Sequence, residues 1–184
     1  MAEYVDQEQP NADADYGVVL GDFGDDEYRE GQSFQLSAEL SVTAVEIKRF
    51  ALTSGSPSGN WTIRIETDSG GLPSGTLADA NASIVVVPPA EGAVVKGTFA
   101  TPFTLAGSTL YHIVVQCDNQ STNVRWNLCY WWSSDEYTDG DWMYYYTGSW
   151  HKRTDGDLYF KVYVESGAVA TGIMTTRSSY WGDI

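Results

Sequence analysis

Residues 60–66 read NWTIRIE, and they alternate without a slip. Trp61, Ile63 and Ile65 are apolar, whereas Thr62, Arg64 and Glu66 are polar. Successive side chains of an extended chain point to opposite faces, so this pattern buries one face and wets the other. A helix would need apolar residues three and four apart, a spacing this stretch lacks. On either side stand turn formers: TSGSPSGN at 53–60, and TDSGGLPSGT at 67–76, a Gly/Pro cluster too short for a helix and too polar for a core.

The same short period recurs along the chain. Strands are predicted at 32–36, 42–52, 61–66, 83–87, 94–99, 110–117, 124–132, 142–147 and 158–164. In 42–52 the apolar parity changes from Val45 and Ile47 to Phe50 and Leu52, which predicts a bulge. The Pro88–Pro89 pair ends the strand at 83–87, because consecutive prolines cannot continue a ladder. Many short strands separated by turn signals predict an all-β chain folded as an antiparallel β-sandwich of jelly-roll type. The sandwich occupies 28–165. Residues 1–27 are polar and acidic and read as an N-terminal arm. Residues 166–184 read as a C-terminal arm, with Val169, Ile173, Met174, Tyr180 and Trp181 as its contact residues.

The 184 residues suit one core. Ten Lys and Arg against 25 Asp and Glu leave a net charge of −15. Phosphate neutralisation needs clustered cations, so nucleic acid and anionic membrane are not expected partners. The first residues lack the basic and apolar regions of a secretory signal, and no apolar run is long enough to span a bilayer. The two cysteines do not make a disulfide framework, and strand parity sets Cys117 and Cys129 on opposite faces.

Thr-Asp-Gly-Asp occurs twice in TDGDWMYYYTGSWHKRTDGDLYFKVY, residues 138–163. Asp-Gly is a strong turn signal and the residues after each copy are strand formers, so the copies read as turns that open consecutive strands. Residues 148–153 then form most of the loop between those strands. The alternative is calcium, the only cofactor considered, with Asp135, Asp139, Asp141, Asp155 and Asp157 as oxygen ligands. Neither copy has the spacing of a helix–loop–helix calcium site. No nucleophile elbow is present, since GSPSG and GLPSG carry proline at the centre. No cysteine or histidine spacing typical of zinc appears either. A polysaccharide-active enzyme whose paired carboxylates leave no local signature is the third functional reading.

Six of the seven tryptophans and eight of the twelve tyrosines fall from Trp126 onward, so the end of the chain must supply much of the core. On the outward parity stand Trp131, Met143, Tyr145, Tyr159 and Tyr163. Such rings suit a subunit interface, a platform for glycans, or cover beneath a loop. Trp150, at a loop tip, is a further candidate sugar contact.

WTIRIETDSGGLPSGTLADA, FATPFTLAGSTLYHIVV and the closing DLYFKVYV together resemble a jelly-roll module found in phage virion proteins and bacterial surface proteins, often beside carbohydrate-binding modules. The resemblance covers roughly 32–164 and brings no fixed catalytic residues. It implies a non-enzymatic virion structural protein, such as a capsid decoration, head fibre or tail component. Its expected partners are copies of itself and other virion proteins, and its expected location is the virion. A carbohydrate-binding module is the alternative reading.

Overall fold

The computed structural model describes residues 2–9, 17–23, 26–50, 59–118, 126–132 and 137–165. Asp135 and the whole segment 166–184, with Val169, Ile173, Met174, Tyr180 and Trp181, lie outside the described residues. Everything regular within them is strand. The elements are β1 (Glu3–Gln9), β2 (Gly17–Phe23), β3 (Asp26–Gln35), β4 (Leu40–Lys48), β5 (Trp61–Asp68), β6 (Pro73–Leu77) and β7 (Ser83–Val86). After them come β8 (Val94–Leu105), β9 (Leu110–Cys117), β10 (Trp126–Trp132), β11 (Trp142–Tyr146), β12 (Ser149–Arg153), β13 (Gly156–Leu158) and β14 (Phe160–Glu165).

Two antiparallel sheets pack face to face. One has four strands in the order β1-β14-β4-β8. The other has ten strands and runs β13-β10-β2-β3-β9-β5-β6, with β11 and β12 joined through β3 and β7 joined to β5. The alternation of NWTIRIE sets the layering: Trp61, Ile63 and Ile65 are fully buried, facing Val45, Ile47, Phe160 and Val162 within one core cluster. Each large apolar side chain removed from water contributes about 1.5–3 kcal/mol.

Strand β3 forks the large sheet. One of its edges pairs along Glu30–Gln35 with β9. Its other edge is shared: Asp26–Tyr28 pair with β2, and Arg29–Gln32 pair with β11. The β11–β12 hairpin and the β2–β10–β13 branch therefore leave the same strand one after the other.

Four expectations need correction. The segment 1–27 supplies strands rather than an arm: β1 closes the four-stranded sheet beside β14, and β2 lies between β10 and β3. As an edge strand, β1 needs no clean alternation, while Val18 and Leu20 of β2 reach the core. Residues 149–153 are strand, not loop, because Thr147 and Gly148 both take positive φ, 49° and 83°, and make a two-residue hairpin turn. The cluster 67–76 contains β6, paired with the end of β5. The irregularity of β4 lies at Thr43, where Val42 pairs with Phe103 and Ala44 with Thr98, so that residues 99–102 face one residue. The parity change near Phe50 arises because β4 ends at Lys48. The cysteines are held in separate pairs, Cys117 opposite Trp61 and Cys129 opposite Gly17.

Candidate functional site

Both sheets have an outer face, and the two differ in what they leave available. On the four-stranded sheet the register lines up Glu8, Lys161, Glu46 and Lys96 across β1, β14, β4 and β8, an alternating row of charge. Glu46 is at the centre and almost buried. Its carboxylate accepts the hydroxyls of Tyr159, at 2.7 Å, and Tyr163, at 3.1 Å. Burial first, then the Glu46 charge and hydrogen bond, raise the pKa of both phenols above the ordinary range. Lys96 lies 3.7 Å from the centre of the Tyr163 ring and also pairs with Glu3. This face satisfies itself. Tyr159 does point away from the core as expected, but it is buried beside Phe50 and so is no open platform. Tyr163 is half-buried with its hydroxyl engaged.

On the ten-stranded sheet the β11–β12 hairpin brings Tyr145 opposite Trp150, and on its other side opposite Arg29 of β3. The two rings meet edge to face, centroids 5.4 Å apart. The Arg29 guanidinium sits 4.9 Å over the Tyr145 ring and is fixed by two bonds to Glu27, at 2.7 and 2.8 Å. Trp150 rests on Gly31: a Cβ added there would stand 3.4 Å from the indole and 2.9 Å from Met143 Cγ. Met143 has the outward parity read from sequence but is fully buried, with Trp150 packed beside it over Gly31. Tyr145 and Trp150 remain half-exposed, and neither the phenol nor the indole N–H has a protein partner among the described residues. Lys152, further along β12, pairs with Asp141. Trp131 pairs through its backbone with Asp157, and its side chain lies outside the description.

Deeper along this face, Ser33 and His112 are cross-strand neighbours, and His112 Nε2 lies 2.8 Å from Asp68. The trio has the composition of a nucleophilic site, but its bonding is structural. The Ser33 hydroxyl accepts the Asp141 N–H at 2.7 Å and donates to the Asp141 carbonyl at 3.3 Å, and both Ser33 and His112 are buried. His112 Nδ1 has no partner among the described residues, and burial lowers the affinity of the ring for a proton despite the opposing pull of Asp68. Glu66, also buried, accepts the Gly75 N–H at 2.7 Å and pairs with Arg64, which fixes the β6 turn.

The carboxylates proposed for calcium are dispersed. Asp155 binds Arg153 through both oxygens, Asp141 faces Lys152, and Asp139 is exposed at the turn. Asp157 is fully buried and holds the Gln32 amide at 3.0 Å and the Tyr137 N–H at 3.0 Å. Among the described residues no three His, Cys, Asp or Glu side chains come together as a metal-holding group. Gly140 of the first tetrapeptide is obligatory for packing, since a Cβ there would lie 2.0 Å from the Ser33 carbonyl oxygen.

Sequence reasoning did not find Arg29, Gly31 or Glu30. Glu30 is a buried carboxyl whose partner is the Trp142 indole N–H at 2.7 Å, and burial raises its pKa well above the ordinary carboxylate range. All three lie on β3 and meet β11 across more than a hundred residues, so no local pattern signals them. A third surface is apolar. Val85 and Val87, in and just beyond the edge strand β7, are 60% and 76% exposed, and Val94, which opens the edge strand β8 of the other sheet, is 44% exposed. No protein-family model matches the chain, and neither does any curated protein.

Proposed function

We propose that this protein is a non-enzymatic structural component of a virion, a capsid decoration, head-fibre or tail protein, that works by contact with copies of itself and with other virion proteins. The observation that carries this reading is the exposed valine edge at β7. Natural edge strands are ordinarily guarded by charge, and β7 reads Ser-Ile-Val-Val with none. Val85 and Val87 stand in water there, and a neighbouring subunit that covered them would gain about 1.5 kcal/mol for each. The resemblance of 32–164 to the jelly-roll module of virion proteins points the same way, as do the apolar residues of 166–184.

The mechanism is adhesion. A rigid sandwich presents a preformed edge, so little ordering entropy is lost when a partner docks. Light scattering over a concentration series tests it. The parent chain is expected to self-associate, and Val85→Lys with Val87→Glu to remain monomeric with an unchanged melting temperature. A parent that stays monodisperse and monomeric at every concentration, and that virion proteins fail to bind, overturns the reading.

A further inference from the structure

We propose that the Tyr145–Trp150 face of the ten-stranded sheet is a binding site for neutral glycans, with the apolar face of a hexopyranose lying against the Trp150 indole. This goes beyond the virion reading and needs neither the valine edge nor a second copy of the chain. Four observations converge on it. The rings are large, half-exposed and directly opposed in a hairpin, so both are held by sheet geometry rather than by a loop. Trp150 is seated on Gly31, a position where any side chain would displace it or Met143. Few rotamers are lost when such rings are covered, which favours adhesion to a weakly apolar ligand.

The polar groups around the rings suit hydroxyls. The Trp150 N–H can donate, the Tyr145 hydroxyl can donate or accept, and neither is engaged by the described protein. Arg29 lies over Tyr145 with its fork steadied by Glu27, which leaves the pair as a planar rim of donors and acceptors. From β12 across β11 to β3 is two strand spacings, about 10 Å, room for about two sugar units in a row.

Charge decides which glycan. Arg29 faces Glu27 and Lys152 faces Asp141, so each cation beside the rings already has its own carboxylate. An acidic sugar would find no unmatched cation here and would meet the field of a chain with net charge −15. A neutral sugar loses nothing to that field. The four-stranded sheet, where Glu46 occupies both tyrosine hydroxyls, has no comparable vacancy for hydroxyls.

The test is an array of neutral hexaoses (β-1,3-glucan, β-1,4-glucan, α-1,4-glucan and β-1,4-mannan) with α-1,4-galacturonan hexaose as the acidic probe, hits being quantified by titration calorimetry. At least one neutral hexaose is expected to bind, and Trp150→Ala to weaken it by about tenfold or more. Tyr163→Phe, on the opposite sheet, is expected to leave binding unchanged. Should Trp150→Ala not fold, Tyr145→Phe carries the test: it removes one hydroxyl, should melt like the parent, and should weaken binding about threefold. No neutral binder, a preference for the galacturonan, or a binder indifferent to these substitutions at Trp150 and Tyr145 overturns the proposal. Each of these results leaves the self-association measurement unaffected.

Discussion

Thr138–Asp141 and Thr154–Asp157 have the same four residues, and their final aspartates lie in opposite surroundings. Asp141 is at the surface, its carboxylate beside Lys152. Asp157 is fully buried and accepts the Gln32 amide and the Tyr137 N–H, while Gln32 in return accepts the Leu158 N–H at 2.9 Å. Both tetrapeptides make a turn and then open a strand, as local chemistry dictates. What differs is the partner strand. The first copy lies against the backbone of Ser33 at the hairpin side of β3, and the second starts β13, which pairs with β10 on the other branch. An identical motif can thus serve as a solvated cap or as a buried tether, and the fork in β3 decides which.

The comparison can be broken most directly at its two aspartates. Asp157→Ala leaves two buried donors without acceptors and is expected to cost about 3 kcal/mol. Asp141→Ala loses one surface ion pair, worth about 0.5 kcal/mol. Urea denaturation of both variants checks this; equal costs would mean that the burial of Asp157 has no energetic weight.

Glu30 extends the comparison to a third carboxyl, buried like Asp157 but held by a single indole N–H. Because its folded pKa is raised, the folded chain keeps a proton that the unfolded chain releases. The stability associated with that proton is complete below the unfolded value near 4.5 and falls as pH rises toward the folded pKa. His112, with its folded pKa lowered, acts in the opposite sense: its contribution is full above 6.5 and is lost as pH falls. The diagnostic is therefore the difference between parent and Glu30→Gln, which should grow in favour of the variant from pH 5 to pH 8 in thermal melts. A constant difference would show that Glu30 is already ionised in the folded chain at pH 5, as it is in the unfolded one.

The mildest perturbation lies in the turn between the two copies. Thr147 is β-branched and takes a left-handed φ of 49° before Gly148. Asn tolerates that conformation better, so Thr147→Asn should stabilise by about 0.5 kcal/mol in the same denaturation assay. A loss instead would mean that the threonine side chain makes a contact the turn requires.

Much of the sandwich was legible because its central strands bury one face. Alternation marked β5 and β14, each of which packs the core from one side, while β9 was marked by its apolar run and is buried on both faces. Three of the strands that escaped, β1, β6 and β12, have no such face. β12 reads Ser-Trp-His-Lys-Arg and is fixed by its hairpin partner, β1 is fixed by β14, and β6 is tied to β5 around a glycine turn. Met143 and Tyr159 were read as outward and are covered instead. Parity is local, whereas exposure depends on neighbours, Trp150 beside Met143 and Phe50 against Tyr159. Tyr145 was legible as an outward ring, but its companions on β3 were not, since only the folded sheet makes them neighbours.

The pairing of Glu3 with Glu165 joins the first strand to the last. Polypeptide preceding the sandwich and polypeptide following it therefore depart from one corner, on adjacent strands. A short bridge across that corner would close the chain into a ring, with new ends cut at an exposed turn such as Asp79–Asn81. By the same geometry the unit can be spliced into a surface loop of a larger scaffold and stand on it as a knob on two parallel stalks, without stretching its host.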